Sequence, residues 1–300
     1  MSSLARLGLG TVQFGLDYGI SNRDGRPSEA EVAAILAHAV DTGVGYLDTA
    51  ASYADAEVLI GRHLPAHHDL RIVTKLPPLK ADSARGNRVE LTMRAMETSL
   101  ERLRLTKVHA VLVHSVGDLA EPGWETLVEA LRLIKQKALA TRVGVSIYDE
   151  GDLDLVQSRF EPELVQFPLN VLDRRLVFTG RLAALKGAGV ELHARSVFLQ
   201  GLLLMPVKAL PQFFAPLRAA LEKLQARWAA AEVPPLAACL HYVLGQSQVD
   251  AAIVGVNRVH EFNEIAAALS APPICPDLFE PVEAIDPAFV DPRRWPKAAQ

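Results

Sequence analysis

Eight short apolar runs, each parted from the next by a longer amphipathic stretch, constrain this 300-residue chain more than any other feature. The runs are Leu7–Phe14, Gly45–Asp48, Arg71–Lys75, Val108–His114, Arg142–Ser146, Leu164–Pro168, Val190–Arg195 and Ala251–Val254. They are nearly continuous in apolar character, as strands covered on both faces are. Between them Ser28–Thr42, Asp55–Leu64, Arg88–Leu103, Trp124–Gln136, Asp149–Ser158, Arg174–Lys186 and His260–Leu269 carry a helical period. Ser28 ahead of Glu29 and Glu31, and Asp149 ahead of Glu150 and Asp152, set acceptors and negative charge against the unpaired N–H groups of a first turn. Strands that alternate with helices pair in parallel, because parallel neighbours need a crossover.

The pattern predicts an α/β fold, a (β/α)8 TIM barrel, as a single domain over residues 1–270. A doubly wound sheet fits less well: Gly8-Leu9-Gly10-Thr11 leads into a long loop, and no G-x-G-x-x-G opens a helix there. One connection breaks the rhythm. Between strands 7 and 8 there is room for a two-helix insertion, Pro216–Ala231 and Pro235–Leu244, and for a loop Leu199–Phe214 long enough to act in binding or as a lid. Residues 271–300 are proline-rich without a period and are expected to pack on the barrel as a tail.

Composition narrows the function classes. The 31 basic and 35 acidic residues are interspersed, for a net charge of -4, so no basic stripe invites nucleic acid. Cys239 and Cys275 form neither a disulfide framework nor a metal spacing, which fits a reducing, cytoplasmic setting. The first residues lack an apolar signal core and no run approaches 18 apolar residues, so neither secretion nor a membrane partner is expected. No metal is expected either.

Ionisable and polar residues close most of the apolar runs. Asp48, Lys75, His114, Ser146, Gln166 and Arg195 stand at or near the carboxyl ends of their strands, with Tyr53 just past the second. Barrel active sites are built at that end, and a buried charge is costly unless paired, so these residues are expected to meet. Singly each has a plain explanation, such as a salt-bridge partner, a hydrogen-bonded histidine or a packed ring. Together they are the parts for giving a proton to a carbonyl oxygen. A tyrosine is a weak acid at neutral pH; a neighbouring lysine is expected to lower its pKa, with Asp48 holding the lysine charged. His114 would orient the same oxygen. No side chain supplies hydride, so carbonyl reduction here would need a nicotinamide cofactor.

Asp48-Thr49-Ala50-Ala51-Ser52-Tyr53, then Thr74-Lys75, then a strand ending in His114, resembles the aldo-keto reductase superfamily, and the likeness covers most of the chain. It implies an NAD(P)H-dependent oxidoreductase that reduces an aldehyde or ketone, or oxidises an alcohol or sugar, with a small-molecule substrate. It implies a catalytic tetrad of Tyr53, Lys75, Asp48 and His114, with Tyr53 as the acid. Ser146 and Gln166 match residues that hold the nicotinamide carboxamide. The stretch from Ser196 through Gln200 and Gly201 to Leu203 resembles the loop along the pyrophosphate. Gly255, Asn257, Arg258 and Glu264 fall where the adenosine end is held, and NADP(H) is implied over NAD(H).

The chain departs from the family pattern in places. Ile147 follows Ser146 where asparagine is common, and Glu261 replaces arginine or glutamine near the expected 2′-phosphate. Arg195 replaces a ring-stacking tyrosine, although a planar guanidinium can also stack on a ring. The short amino terminus is expected to lack the hairpin that often plugs the barrel floor in relatives, which leaves that floor open to cover by the tail. Phe14, Tyr18, Ser115, Val116 and Phe198 are candidates for the substrate pocket, and Phe213 and Phe214 for a lid. Two other readings draw on the same residues. One is a nucleotide-binding sensor or regulatory subunit with little turnover. The other is a lyase or isomerase using Lys75 as a Schiff base, which the adjacent Asp48 disfavours by raising the lysine pKa.

Overall fold

The computed structural model describes residues 3–78, 88–280 and 285–296. Eight parallel strands close into a barrel in chain order: β1 Leu7–Gly10, β2 Tyr46–Asp48, β3 Arg71–Leu76, β4 Val108–Val113, β5 Ala140–Ser146, β6 Leu164–Pro168, β7 Glu191–Arg195 and β8 Ala251–Gly255. β8 pairs back onto β1, from Leu7 opposite Ala252 to Gly10 opposite Gly255, so the barrel has no free strand edge. Outside it lie α1 Glu29–Asp41, α2 Ala56–His63, α3 Arg88–Leu103, α4 Trp124–Gln136, α5 Glu150–Gln157, α6 Arg181–Gly187, α7 Arg218–Ala230, α8 Pro235–Leu244 and α9 Val259–Leu269. The expected (β/α)8 barrel is the observed one, with α7 and α8 between β7 and β8.

Side chains alternate in direction along a strand, so residues two apart share a face. Inside the barrel Tyr46, Val73, Ala110, Leu112, Leu164, Ala251 and Ile253 form a separate apolar cluster. Two residues further along their strands stand Asp48, Lys75, His114, Gln166 and Gly255. The apolar layer thus supports a polar layer at the carboxyl end, and the period of two alone aims the side chains of Asp48, Lys75, His114 and Gln166 inward.

Caps set the helix ends. Ser28 accepts from the Glu31 N–H at the start of α1, and Asp149 accepts from the Asp152 N–H at the start of α5. α4 ends in a Schellman arrangement: the Leu139 N–H reaches the Ile134 carbonyl, and the Ala138 N–H the Lys135 carbonyl. Ala138, at φ +55°, occupies the left-handed position that glycine usually fills. Cys239 is buried on α8, and burial pushes its thiol up to about 12, whereas Cys275 is exposed.

Three local expectations are corrected. The first strand stops at Gly10, because the Thr11 N–H and hydroxyl both turn to the Asp48 carbonyl at 3.0 Å; Val12–Gly15 is then a single helical turn. The stretch Arg174–Lys186 is two pieces, Arg175–Phe178 and α6, broken where Gly180 adopts φ +73°. The helix placed at Pro216 starts at Arg218, after a 3-10 segment Gln212–Leu217 that contains the proline.

The start of the chain, and not the described part of the tail, lies at the barrel floor. The 3-10 turn Ser3–Arg6 lies against the floor, where the Arg71 guanidinium donates to the Ala5 carbonyl and Arg6 to the Val249 carbonyl. Above it Glu191 accepts from the Nε2 atoms of His109 and His193 at 2.9 Å each and pairs with Arg142. The described part of the tail runs elsewhere. It hangs on α7, through Trp228 Nε1 to the Leu278 carbonyl, and then crosses to the carboxyl end of β5, where Arg293 meets Asp149 and Asp152. Residues 281–284 and 297–300 of that tail lie outside the described residues. Among the described residues no helix is long and apolar enough to cross a membrane.

Candidate active site

The loop after β2 carries Tyr53 and is tied down by its neighbours. The Thr49 N–H pairs with the Val73 carbonyl and the Ala51 N–H with the Lys75 carbonyl, continuing the β2–β3 ladder beyond Asp48. Gly15 lies against the Tyr53 backbone: a Cβ there would sit 1.9 Å from the Tyr53 carbonyl oxygen, so only glycine lets the turn after β1 brace the loop.

Asp48 and Lys75 form a buried ion pair, Nζ to Oδ2 at 2.6 Å, and are 4 % and 1 % exposed. The ammonium also donates to the Thr49 carbonyl at 2.9 Å. The other Asp48 oxygen accepts from Gln166 Nε2 at 2.7 Å. Lys75 Nζ stands 5.1 Å from the Tyr53 ring centre, and the Tyr53 and His114 rings meet edge to face at 5.8 Å. His114 Nδ1 lies 3.0 Å from the Ser52 hydroxyl. When that hydroxyl donates to Nδ1, the ring hydrogen sits on Nε2 and is available as a donor.

Burial, joined by the Asp48 charge, raises the Tyr53 phenol above its ordinary range, while Arg195 pulls it down. The acidification of Tyr53 expected from Lys75 is thus not the net effect in this cleft. The lysine charge is matched by Asp48 at contact distance, and the phenol feels the charge of that carboxylate in a poorly solvated place. Burial, followed by the Lys75 charge, lowers His114 to about 4, so its ring is neutral at neutral pH. Burial also lowers Lys75, against the opposing pull of Asp48.

All four residues open into one cleft of about 570 Å³. Ser146, Gln166, Arg195, Ser196, Gln200, Gly201, Gly255, Asn257 and Glu264 line the same cleft. Arg258 does not; its Nη1 turns back to the Asn257 carbonyl at 3.0 Å. Ser196, Leu199, Gln200 and Gly201 all have positive φ, which curls the backbone of this loop. The loop after β1 folds onto it, with the Ile20 N–H on the Gln200 carbonyl. A Cβ on Gly201 would lie 1.8 Å from the Ser21 hydroxyl, so that fold-over needs glycine. Of the substrate-pocket candidates, Tyr18 and Phe198 line the cleft, whereas Phe14 is core. Phe213 and Phe214 pack on Phe289 and Trp295, which makes them anchors for the tail.

Sequence reasoning missed several cleft residues. Tyr148, two positions after Ser146, is held between two guanidinium groups, Arg195 and Arg293, each 4.0 Å from its ring centre. Arg195 also donates to the Ile147 carbonyl at 2.9 Å. Ser52, which touches His114 without lining the cleft, lies inside the stretch Asp48 to Tyr53, and its hydroxyl next to a tyrosine was the available signal. Gln13, Gly19 and residues 21–24 gave no sequence signal, since they join the cleft only through the fold-over of their loop.

Fold and site define a (β/α)8 barrel with its ionisable groups gathered at the carboxyl ends of the strands. The model of the aldo/keto reductase family matches residues 6–287, and the chain belongs to that family. It is similar to an aldo-keto reductase of Mycobacterium sp. (strain MCS), 32 % identical over 157 residues, covering 49 % of this chain and 52 % of that one. A 6-dehydroglucose reductase of Novosphingobium aromaticivorans is 32 % identical over 108 residues, 31 % of this chain and 34 % of its own. The chain thus spans about half or less of the length of these curated relatives. Among solved structures, an aldo-keto reductase of Bacillus halodurans in its holo form superposes with a TM-score of 0.73 at 20 % identity, covering 92 % of this chain and 90 % of that one. The glycerol dehydrogenase of Gluconobacter oxydans gives 0.71 at 21 %, covering 91 % and 88 %. At those identities the likeness is one of fold.

Proposed function

We propose that the chain is a nicotinamide-nucleotide-dependent oxidoreductase that interconverts a carbonyl and an alcohol, with Tyr53 as proton donor. The observation that carries this is the buried Lys75–Asp48 pair beside Tyr53 and His114, opening into a cleft that extends to Asn257 and Glu264. The cleft suits a long polar ligand. Gln13 Oε1 and Asn257 Oδ1 are buried in its wall without partners. Gln166 spends its amide nitrogen on Asp48, which leaves its carbonyl oxygen to accept from a carboxamide. Ser146 and Gln166 would hold the nicotinamide end, Ser196 to Gly201 the pyrophosphate, and the start of α9 the adenosine. When bound, the nucleotide supplies hydride.

The residues of the chain handle the proton and the geometry. Tyr53 keeps its proton at physiological pH, because burial and Asp48 disfavour the phenolate. Neutral His114 can donate to the carbonyl oxygen and orient it, but it has no spare proton to give at neutral pH. That favours Tyr53 as the group that gives the proton. Lys75 and Asp48, locked together, leave little net charge to bind water beside the phenol, and the Arg195 charge favours the phenolate as it forms.

Titration with NADH and NADPH, followed by turnover on an aldehyde panel, tests the proposal. Tyr53→Phe should lower kcat by about 10²–10⁴-fold with nucleotide binding intact. Failure to bind either nucleotide would refute the reading. Binding without turnover, unchanged by Tyr53→Phe, would support a nucleotide sensor instead.

A further inference from the structure

The first N–H groups of a helix are a ready anion site, because they lack partners within the helix and lie at the positive end of its dipole. At the start of α9 the N–H groups of Asn257, Arg258 and Val259 are already taken by the chain's own carboxylates. Glu261 Oε2 accepts from the Asn257 N–H at 2.6 Å and from the Arg258 N–H at 3.2 Å. Glu31 Oε1, from α1, accepts from the Val259 N–H at 2.8 Å. Three successive donors are therefore occupied by two carboxylates. Glu261 and Glu264, one turn apart on α9, both face the cleft. Arg258, the cation of this segment, bonds the Asn257 carbonyl and lies outside the cleft lining.

A phosphate brought to this end would have to displace Glu261 from two hydrogen bonds and would meet like charge on arrival. A ribose that carries only hydroxyls has the opposite character: it donates hydrogen bonds, and a carboxylate accepts them. The same contrast between an acidic residue on a free ribose diol and a cation on a 2′-phosphate operates in other dinucleotide sites. We propose that the cleft takes NAD(H) in preference to NADP(H), with Glu261, buttressed by its backbone bonds, as the residue that discriminates. This runs against the NADP(H) implied by the family resemblance. It rests on the oxidoreductase reading above and deepens it.

The test is fluorescence titration of the unmodified chain with NADH and with NADPH at one ionic strength. NADH should bind at least about tenfold more tightly. Glu261→Gln keeps the shape of the cap and should narrow the ratio, mainly by improving NADPH. Equal binding of the two, or tighter binding of NADPH, by the unmodified chain overturns the inference while leaving the oxidoreductase reading in place. Binding of neither overturns both. If Glu261→Gln changes both affinities by the same factor, Glu261 is not the discriminating residue. Should that variant not fold, the ratio measured on the unmodified chain still decides the preference.

Discussion

Removing one partner of the Asp48–Lys75 pair should cost far more stability than removing both. In Lys75→Met the Asp48 carboxylate loses its 2.6 Å partner and keeps only the bond from Gln166, in a place where it is 4 % exposed. An uncompensated charge in such a place costs about 3–5 kcal/mol. Asp48→Asn strands the ammonium instead, with the Thr49 carbonyl as its remaining partner, and should cost a similar amount. For a chain of this size, losses of that order lower Tm by on the order of 10 °C. The double variant carries neither charge and should be at least as stable as either single one, because both desolvation costs vanish together. Thermal unfolding followed by circular dichroism measures all four proteins without reference to activity. Single variants within about 1 kcal/mol of the parent, or a double variant equal to the sum of the singles, would refute the reasoning.

Three further outcomes are expected. Ala138→Gly should stabilise the chain by about 1 kcal/mol, since glycine takes the φ of +55° that ends α4 without the steric penalty alanine meets; chemical denaturation reads the shift. Burial alone would raise the Glu191 pKa, but hydrogen bonds from His109 and His193 outweigh it and hold the carboxyl well below the usual range. Its stabilisation is therefore present above the ordinary carboxylate pKa and lost progressively as pH falls below it, so the unfolding free energies of the parent and of Glu191→Gln should differ by about 2 kcal/mol near neutrality and draw together only as pH falls well below about 4. The His114 ring, lowered to about 4, should titrate near that value by NMR. Because the folded chain binds that proton less readily than the unfolded one, the His114 contribution is complete above the ordinary histidine range and declines as pH falls toward 4.

The strands were legible because a doubly covered strand has little choice of composition: β6 and β4 are almost uninterrupted apolar runs. The tetrad was legible for the same reason, since Asp48, Lys75 and His114 break such runs at their ends and the period of two turns them inward. What stayed hidden joins segments far apart in sequence. The stack of Arg195, Tyr148 and Arg293 brings together β7, the loop after β5 and the tail, and no local pattern marks it. The closing of the loop after β1 over Gly201 depends on two backbones meeting, which composition does not record. The direction of the Tyr53 shift was misread because it is set by solvent exclusion and by Asp48, quantities that only the assembled barrel fixes.

The buried thiol on α8 makes the chain its own reporter. With a pKa near 12, Cys239 is thiolate in roughly one molecule in ten thousand at pH 8, and an alkylating reagent cannot reach it in the closed protein. Cys275, being exposed, reacts first and marks full access of the reagent. The slow second modification then times the opening of α8. Because Pro234, Pro235 and Leu236 at the start of that helix line the cleft, a nucleotide that fills it should slow the clock, and so make binding visible in a protein that turns nothing over.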